Sequence, residues 1–228
     1  MIVIKNRVVR NVLRFALPFV LIPATVLLGA TVFDAKKHIF VSLCVAILTV
    51  LLFLSGFEQK NLGARRLVLV AVMIALSVVG RFIPFFKPVT ALTIISAIYL
   101  GKESGFAVGA LSALLSNFYF GQGPWTPFQM LAWGLIGLAA GALARPLKKS
   151  RVFLLFFGVI SGLVFSLVMD LWTVLWYSNG LSGKLYAAAV VGSLGYTLLY
   201  AVSNFIFLLA LAKPIGEKLE RIKIKYGI

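Results

Sequence analysis

Gln122, Trp125, Thr126 and Gln129 are crowded into the run GQGPWTPFQ, which starts at Gly121. Two amides, a hydroxyl and an indole held between prolines supply flat apolar area plus a few directional hydrogen bonds. Those are the elements of a small-molecule pocket. The chemistry they suggest is capture without reaction, with aromatic faces giving contact and amide groups giving orientation. Further polar or aromatic side chains that could line the same pocket are Asn117, Asp170, Trp172, Tyr177, Asn179 and Tyr196. Asp170 is the one acid deep inside an apolar run, SLVMDLWTVLWYSNG. An ionisable group there is costly unless paired or hydrated, so it reads either as a cargo residue or as a structural group, paired with Arg81 or serving as a polar cap in the outer leaflet. Asn117 and Asn204 each need a hydrogen-bond partner in an apolar helix and read equally as cavity lining or interhelical clamps.

The rest of the chain offers little for catalysis. There is no GxxxxGK[ST] phosphate loop, no HExxH pair and no GxSxG turn. His38 is the single histidine and Cys44 the single cysteine, so neither a metal site nor a disulfide framework is expected. No catalytic residue and no cofactor are assigned.

The elements that must position the candidate pocket belong in a bilayer. The 228 residues are 61% hydrophobic and 12% charged, about half the charge expected of a soluble domain. Apolar runs predict spans at Asn11 to Phe33, His38 to Gly56, Leu67 to Phe82, Val89 to Leu100, Gly105 to Tyr119, Gln129 to Ala144, Val152 to Trp172 and Tyr186 to Ala212. With both termini in the cytoplasm, 17 of the 22 basic residues fall inside, while Lys36, Lys37, Arg81, Lys87 and Lys184 fall outside or at the outer boundary. This is the positive-inside pattern. It explains the formal charge of +16 by lipid topology and removes the need for a nucleic-acid partner. The expected location is the bacterial plasma membrane, as a multi-pass protein. The basic first segment is too long for a signal-peptide core and reads as a retained helix.

A polar break at Phe57 to Arg66, FEQKNLGARR, divides the chain. Residues 1–60 form a membrane extension of one or two aliphatic helices; residues 61–228, rich in Gly, Ala, Ser, Trp and Asn, form the functional domain. The fold class is all-α, a polytopic membrane helical bundle. Val89 to Leu100 is short for a span of about 20 residues and must be tilted, re-entrant or continued through Pro84 to Pro88. Small residues recur four apart at Gly101, Gly105 and Gly109, at Gly137 and Gly141, and at Gly158 and Gly162, a spacing that lets helices approach closely in lipid. Ala71 and Ala75 follow Arg65 and Arg66 and mark a helix face able to meet another protein.

The runs Ala71-Val-Met-Ile-Ala75, Val79-Gly-Arg-Phe, Pro88-Val-Thr-Ala91, Gly105-Phe-Ala-Val-Gly109 and Phe120-Gly-Gln-Gly-Pro-Trp-Thr-Pro127 resemble the substrate-binding subunit, or S component, of an energy-coupling factor (ECF) transporter. The likeness extends from about Arg66 to Lys218. It implies a six-helix membrane core, to which residues 1–60 are an addition. It implies capture of a vitamin at the outer face, docking on a scaffold T subunit carrying two cytoplasmic ATPases, and toppling in the membrane to release the cargo. By the same resemblance Ala71 and Ala75 contact the T subunit, and the GPWTP loop is similar to those of cobalamin-type S components. Two rival readings remain open on sequence: a stand-alone secondary transporter using Asp170, and a structural membrane protein without a small ligand.

Overall fold

The computed structural model describes residues 6–31, 37–56, 60–178 and 182–226. Helices dominate, and no strand occurs among the described residues, which agrees with the all-α expectation. In chain order they are α1 (Arg7–Thr31), α2 (His38–Ser55), α3 (Lys60–Gly80), α4 (Val89–Leu100), α5 (Lys102–Phe120), α6 (Thr126–Ala142), the short α7 (Ala144–Lys149), α8 (Arg151–Ser178) and α9 (Gly183–Tyr226). By length and composition α1, α2, α8 and α9 can each cross a bilayer, and the chain is a multi-pass membrane protein. Val68, Val72, Phe156, Val191 and Leu198 point outward, as side chains facing lipid tails do.

The shortness of α4 has a packing explanation. Every residue of α4 except Tyr99 is buried, with α3, α5, α6 and α9 around it. A helix surrounded by protein has no hydrocarbon thickness to match, so about 18 Å of rise is sufficient. The Arg81–Pro88 stretch does not continue it: Pro88 caps α4, and Phe85 lies in the left-handed region at φ 63°, a conformation uncommon for a bulky residue. The ammonium of Lys87 holds this loop by donating to the Arg81 and Ile83 carbonyls at 2.6 and 2.8 Å.

Glycines set the closest helix pair, α5 against α6. A Cβ on Gly109 would stand 2.4 Å from the Trp133 carbonyl oxygen, and one on Gly137 would stand 2.4 Å from the Gly105 carbonyl. The same device joins α8 to α9, where a Cβ on Gly162 would come within 2.8 Å of the Ala201 nitrogen. Asn204 is one of the interhelical clamps, its amide donating to the Gly158 carbonyl at 3.0 Å.

Helix ends with basic residues gather at one end of the bundle. Arg14 is 3.2 Å from Glu103, Lys148 donates to Glu220 at 2.9 Å, and Arg65 donates to the Tyr226 carbonyl at 2.6 Å. The opposite end carries the loops Arg81–Pro88 and Gly121–Trp125. The extension pairs α1 with α2 and lies against α5, α6 and α8. Within α1 a π-helical stretch at Leu17–Leu21 absorbs Pro18, which lacks the donor an α-helix requires. Helix α9 runs well past the expected end at Ala212, because the polar stretch to Tyr226 continues the helix beyond the apolar span, through Pro214.

Candidate functional site

At the loop end, Asn117 is 1% exposed and makes three side-chain hydrogen bonds. Its amide nitrogen donates to Thr126 Oγ1 and to Gln129 Oε1, both at 2.9 Å, and its oxygen accepts from Arg81 Nη1 at 2.8 Å. Arg81 Nη1 also donates to Ser116 Oγ. The positions follow from local structure. Gly121, at φ 103°, stops α5; Thr126 then starts α6, accepting at Oγ1 from the Gly123 amide at 3.4 Å and so closing the turn between them. Residue 117 thereby faces residues 126 and 129 across one tight connection. Gln122 folds back on α5, its amide donating to the Leu114 carbonyl at 2.9 Å.

Beneath this cluster lies a row of aromatic rings. The Arg81 guanidinium sits 5.0 Å from the Phe120 ring and 5.6 Å from the Trp133 ring. Trp133 stacks on Phe165 with centroids 4.5 Å apart, and Phe165 meets Tyr200 edge-on at 5.0 Å. The Trp133 indole nitrogen donates to Thr90 Oγ1 at 3.1 Å, which fixes the ring plane. Lys87 lies 5.8 Å from Phe120; burial, and then the neighbouring Arg81 charge, pull its pKa below the usual lysine value. Ser203 on α9 ties this loop to the bundle by exchanging hydrogen bonds with the Lys87 backbone at 2.8 and 3.0 Å.

A second aromatic group lies beside the first. Trp125 meets Trp172 edge-on at 5.8 Å, and Trp172 stacks with Trp176 at 6.4 Å. Between these rings and the extension is a cavity of about 20 Å³ lined by Gly29, His38, Phe128, Trp172 and Trp176, enough for about one water molecule.

Of the candidates singled out by sequence, Asn117, Thr126 and Gln129 come together, Gln122 sits alongside, and Trp125 and Trp172 touch. Asp170 does not join them. It is buried between α8 and α9, where the Ser193 hydroxyl donates to it at 2.8 Å. The alternative of a pair with Arg81 is not what forms: the Arg81 side chain bonds to Ser116 and Asn117. Tyr177 and Tyr196 are exposed, and Asn179 lies outside the described residues. Ala71 and Ala75 are exposed on α3, beside Val68, Val72 and Val79.

The sequence assigns no site role to Trp133, Phe165 or Tyr200, and it marks Lys87 and Arg81 as basic residues of the outer boundary, Arg81 also as one candidate partner for Asp170 and as part of the Val79-Gly-Arg-Phe run. The available signal was the glycine register: Gly109 admits the backbone at Trp133 to van der Waals range, which brings that indole beneath the loop.

No characterised protein and no solved structure matches the chain. Residues 61–214 match the family described as ECF-type riboflavin transporter, S component, a range that begins at α3 and leaves α1 and α2 outside it. The description is of a riboflavin-type family, so the cobalamin-type expectation drawn from the GPWTP loop receives no support. With 154 of its 228 residues matched, the chain belongs to the ECF-type riboflavin transporter S-component family.

Proposed function

We propose that this protein captures a flavin-type vitamin at the loop end of its bundle and surrenders it after docking on a scaffold subunit driven by two ATPases. The observation that carries the reading is the family match over residues 61–214. The site chemistry agrees with it. A flat conjugated ring system stacks well on indole faces, which the partly exposed Trp125 and Trp172 supply, while Trp133 and Phe165, buried against each other, back the site from below; the amides of Asn117, Gln122 and Gln129 are suited to ring carbonyls and hydroxyls. Cargo entry requires the Gly121–Trp125 connection to part from Asn117.

Docking is assigned to the open face of α3. Ala71 and Ala75 leave a shallow strip between valines, and small residues of this kind allow close helix approach in lipid. The extension packs on α5, α6 and α8, which leaves that strip uncovered. Both termini and the basic end are assigned to the cytoplasm by the charge asymmetry.

The test is uptake of labelled riboflavin into vesicles containing this chain with or without a scaffold subunit and its ATPases. Accumulation is expected only with all components and ATP. Concentrative uptake by the chain alone would overturn the reading in favour of a secondary transporter.

A further inference from the structure

At the basic end, a groove of about 350 Å³ opens between α4, α7, α8 and α9. Its volume lies in the range of roughly 300–1,000 Å³ typical of ligand pockets, and it is remote from the loop-end cluster. Its composition changes along its length. Ile95 and Ile98 of α4, Leu154 of α8 and Leu208 of α9 line the portion that runs up the helices. Lys148, Arg151 and Lys213 line the portion at the helix ends, with Glu217 as the one acid in the lining.

That acid is already approached by Arg221 at 3.9 Å, and Lys148 is shared between Glu220 at 2.9 Å and the face of Tyr99 at 4.3 Å. Arg151 places one nitrogen 3.2 Å from the Leu209 carbonyl, which leaves its other donors available. Lys213 makes no ion pair among the described residues. The rim therefore keeps net positive charge after its internal pairs are counted. Gly216 shapes the rim: a Cβ there would stand 2.4 Å from the Tyr99 hydroxyl, so only glycine lets Tyr99 lie across α9.

From this gradient we propose that the groove is a binding site for one anionic phospholipid of the cytoplasmic leaflet. The phosphate lies among Lys148, Arg151 and Lys213, and the first part of an acyl chain lies along Ile95, Leu154 and Leu208. The polar-to-apolar axis of the groove runs with the helices and hence with the membrane normal, as a phospholipid does. Basic pockets between membrane helices on the cytoplasmic side recognise acidic headgroups. The apolar portion reaches several residues up α4 and α9 from their basic ends, within the span, a depth that favours a lipid over a cytoplasmic peptide. The site is independent of what the loop end binds.

The experiment is native mass spectrometry of the full chain released from mixed micelles of phosphatidylglycerol and phosphatidylcholine. One phosphatidylglycerol should be retained in preference to phosphatidylcholine. Replacing one rim cation, Lys213→Gln, should lower that retention about fivefold, and Lys213→Gln with Arg151→Gln further. The variant Lys223→Gln with Lys225→Gln, which removes two charges outside the groove, should keep it. Melting temperature in neutral detergent checks that the variants fold, and Lys213→Gln carries the test should the double variant fail to fold. Equal retention of the two lipids, equal loss in rim and control variants, or full displacement by inorganic phosphate would overturn the proposal. So would retention that vanishes only when a scaffold subunit is added, since that would make the groove a protein-docking surface.

Discussion

Asn117 accepts from Arg81 at 2.8 Å on its oxygen while its nitrogen donates to Gln129 at 2.9 Å, so one buried amide ties the loop that follows α3 to α6 through α5. The geometry uses both ends of the amide, which neither a carboxylate nor an aliphatic residue can reproduce. Asn117→Ala takes one of two partners from Arg81 Nη1 and from Thr126 Oγ1 and leaves Gln129 Oε1 without its donor, and should lower stability by about 1–3 kcal/mol. Asn117→Asp keeps an acceptor for Arg81 but loses the donors to Thr126 and Gln129, and should weaken flavin binding more than it lowers the melting temperature. Thermal unfolding in detergent, read beside a flavin titration, separates the two effects.

Glycine positions give a paired prediction. Gly109→Ala drives a methyl into the Trp133 carbonyl, whose backbone cannot yield without parting α5 from α6, and should destabilise by about 1–3 kcal/mol. Gly192 has open space where its Cβ would be and sits within α9, so Gly192→Ala should be neutral or stabilising by up to about 1 kcal/mol. Melting temperatures of the two variants check the contrast.

How much of this arrangement could be read in advance depended on the kind of signal. The apolar runs marked the helices because hydropathy is local, and small residues four apart marked the close α5–α6 and α8–α9 contacts. Helix ends shifted where polar residues continue a helix past its apolar span, as beyond Ala212 in α9. The cluster was only half legible. Asn117, Thr126 and Gln129 lie close in sequence and share hydrogen bonds, whereas Trp133, Phe165 and Tyr200 are brought beneath them by tertiary packing that no local pattern records. Asp170 shows the converse: a carboxylate in an apolar run signals a need for a partner without naming it, and Ser193 meets that need from the next helix.

Asp170 therefore makes a discriminating variant. Asp170→Asn retains an oxygen able to accept from Ser193 and should leave flavin affinity within about twofold, whereas Trp133→Ala, which removes the central ring of the aromatic row, should lower it at least about tenfold. Equal losses would place Asp170 against the cargo. The measurement is an equilibrium titration of each purified variant.

On the outer surface of α3, Ala71→Trp or Ala75→Trp fills the exposed strip without touching the loop end. Binding to the isolated chain should be unchanged, while ATP-dependent uptake by the assembled transporter should fall to background. Binding and vesicle uptake measured on the same preparation check this, and preserved uptake would move the docking face elsewhere.

The most direct measurement is titration of riboflavin with the purified full-length chain, following the flavin's fluorescence as its ring stacks on tryptophan. The account expects saturable quenching at about one site per chain, unaltered by excess cobalamin. Absence of saturable quenching, or displacement of the flavin by cobalamin, would contradict it.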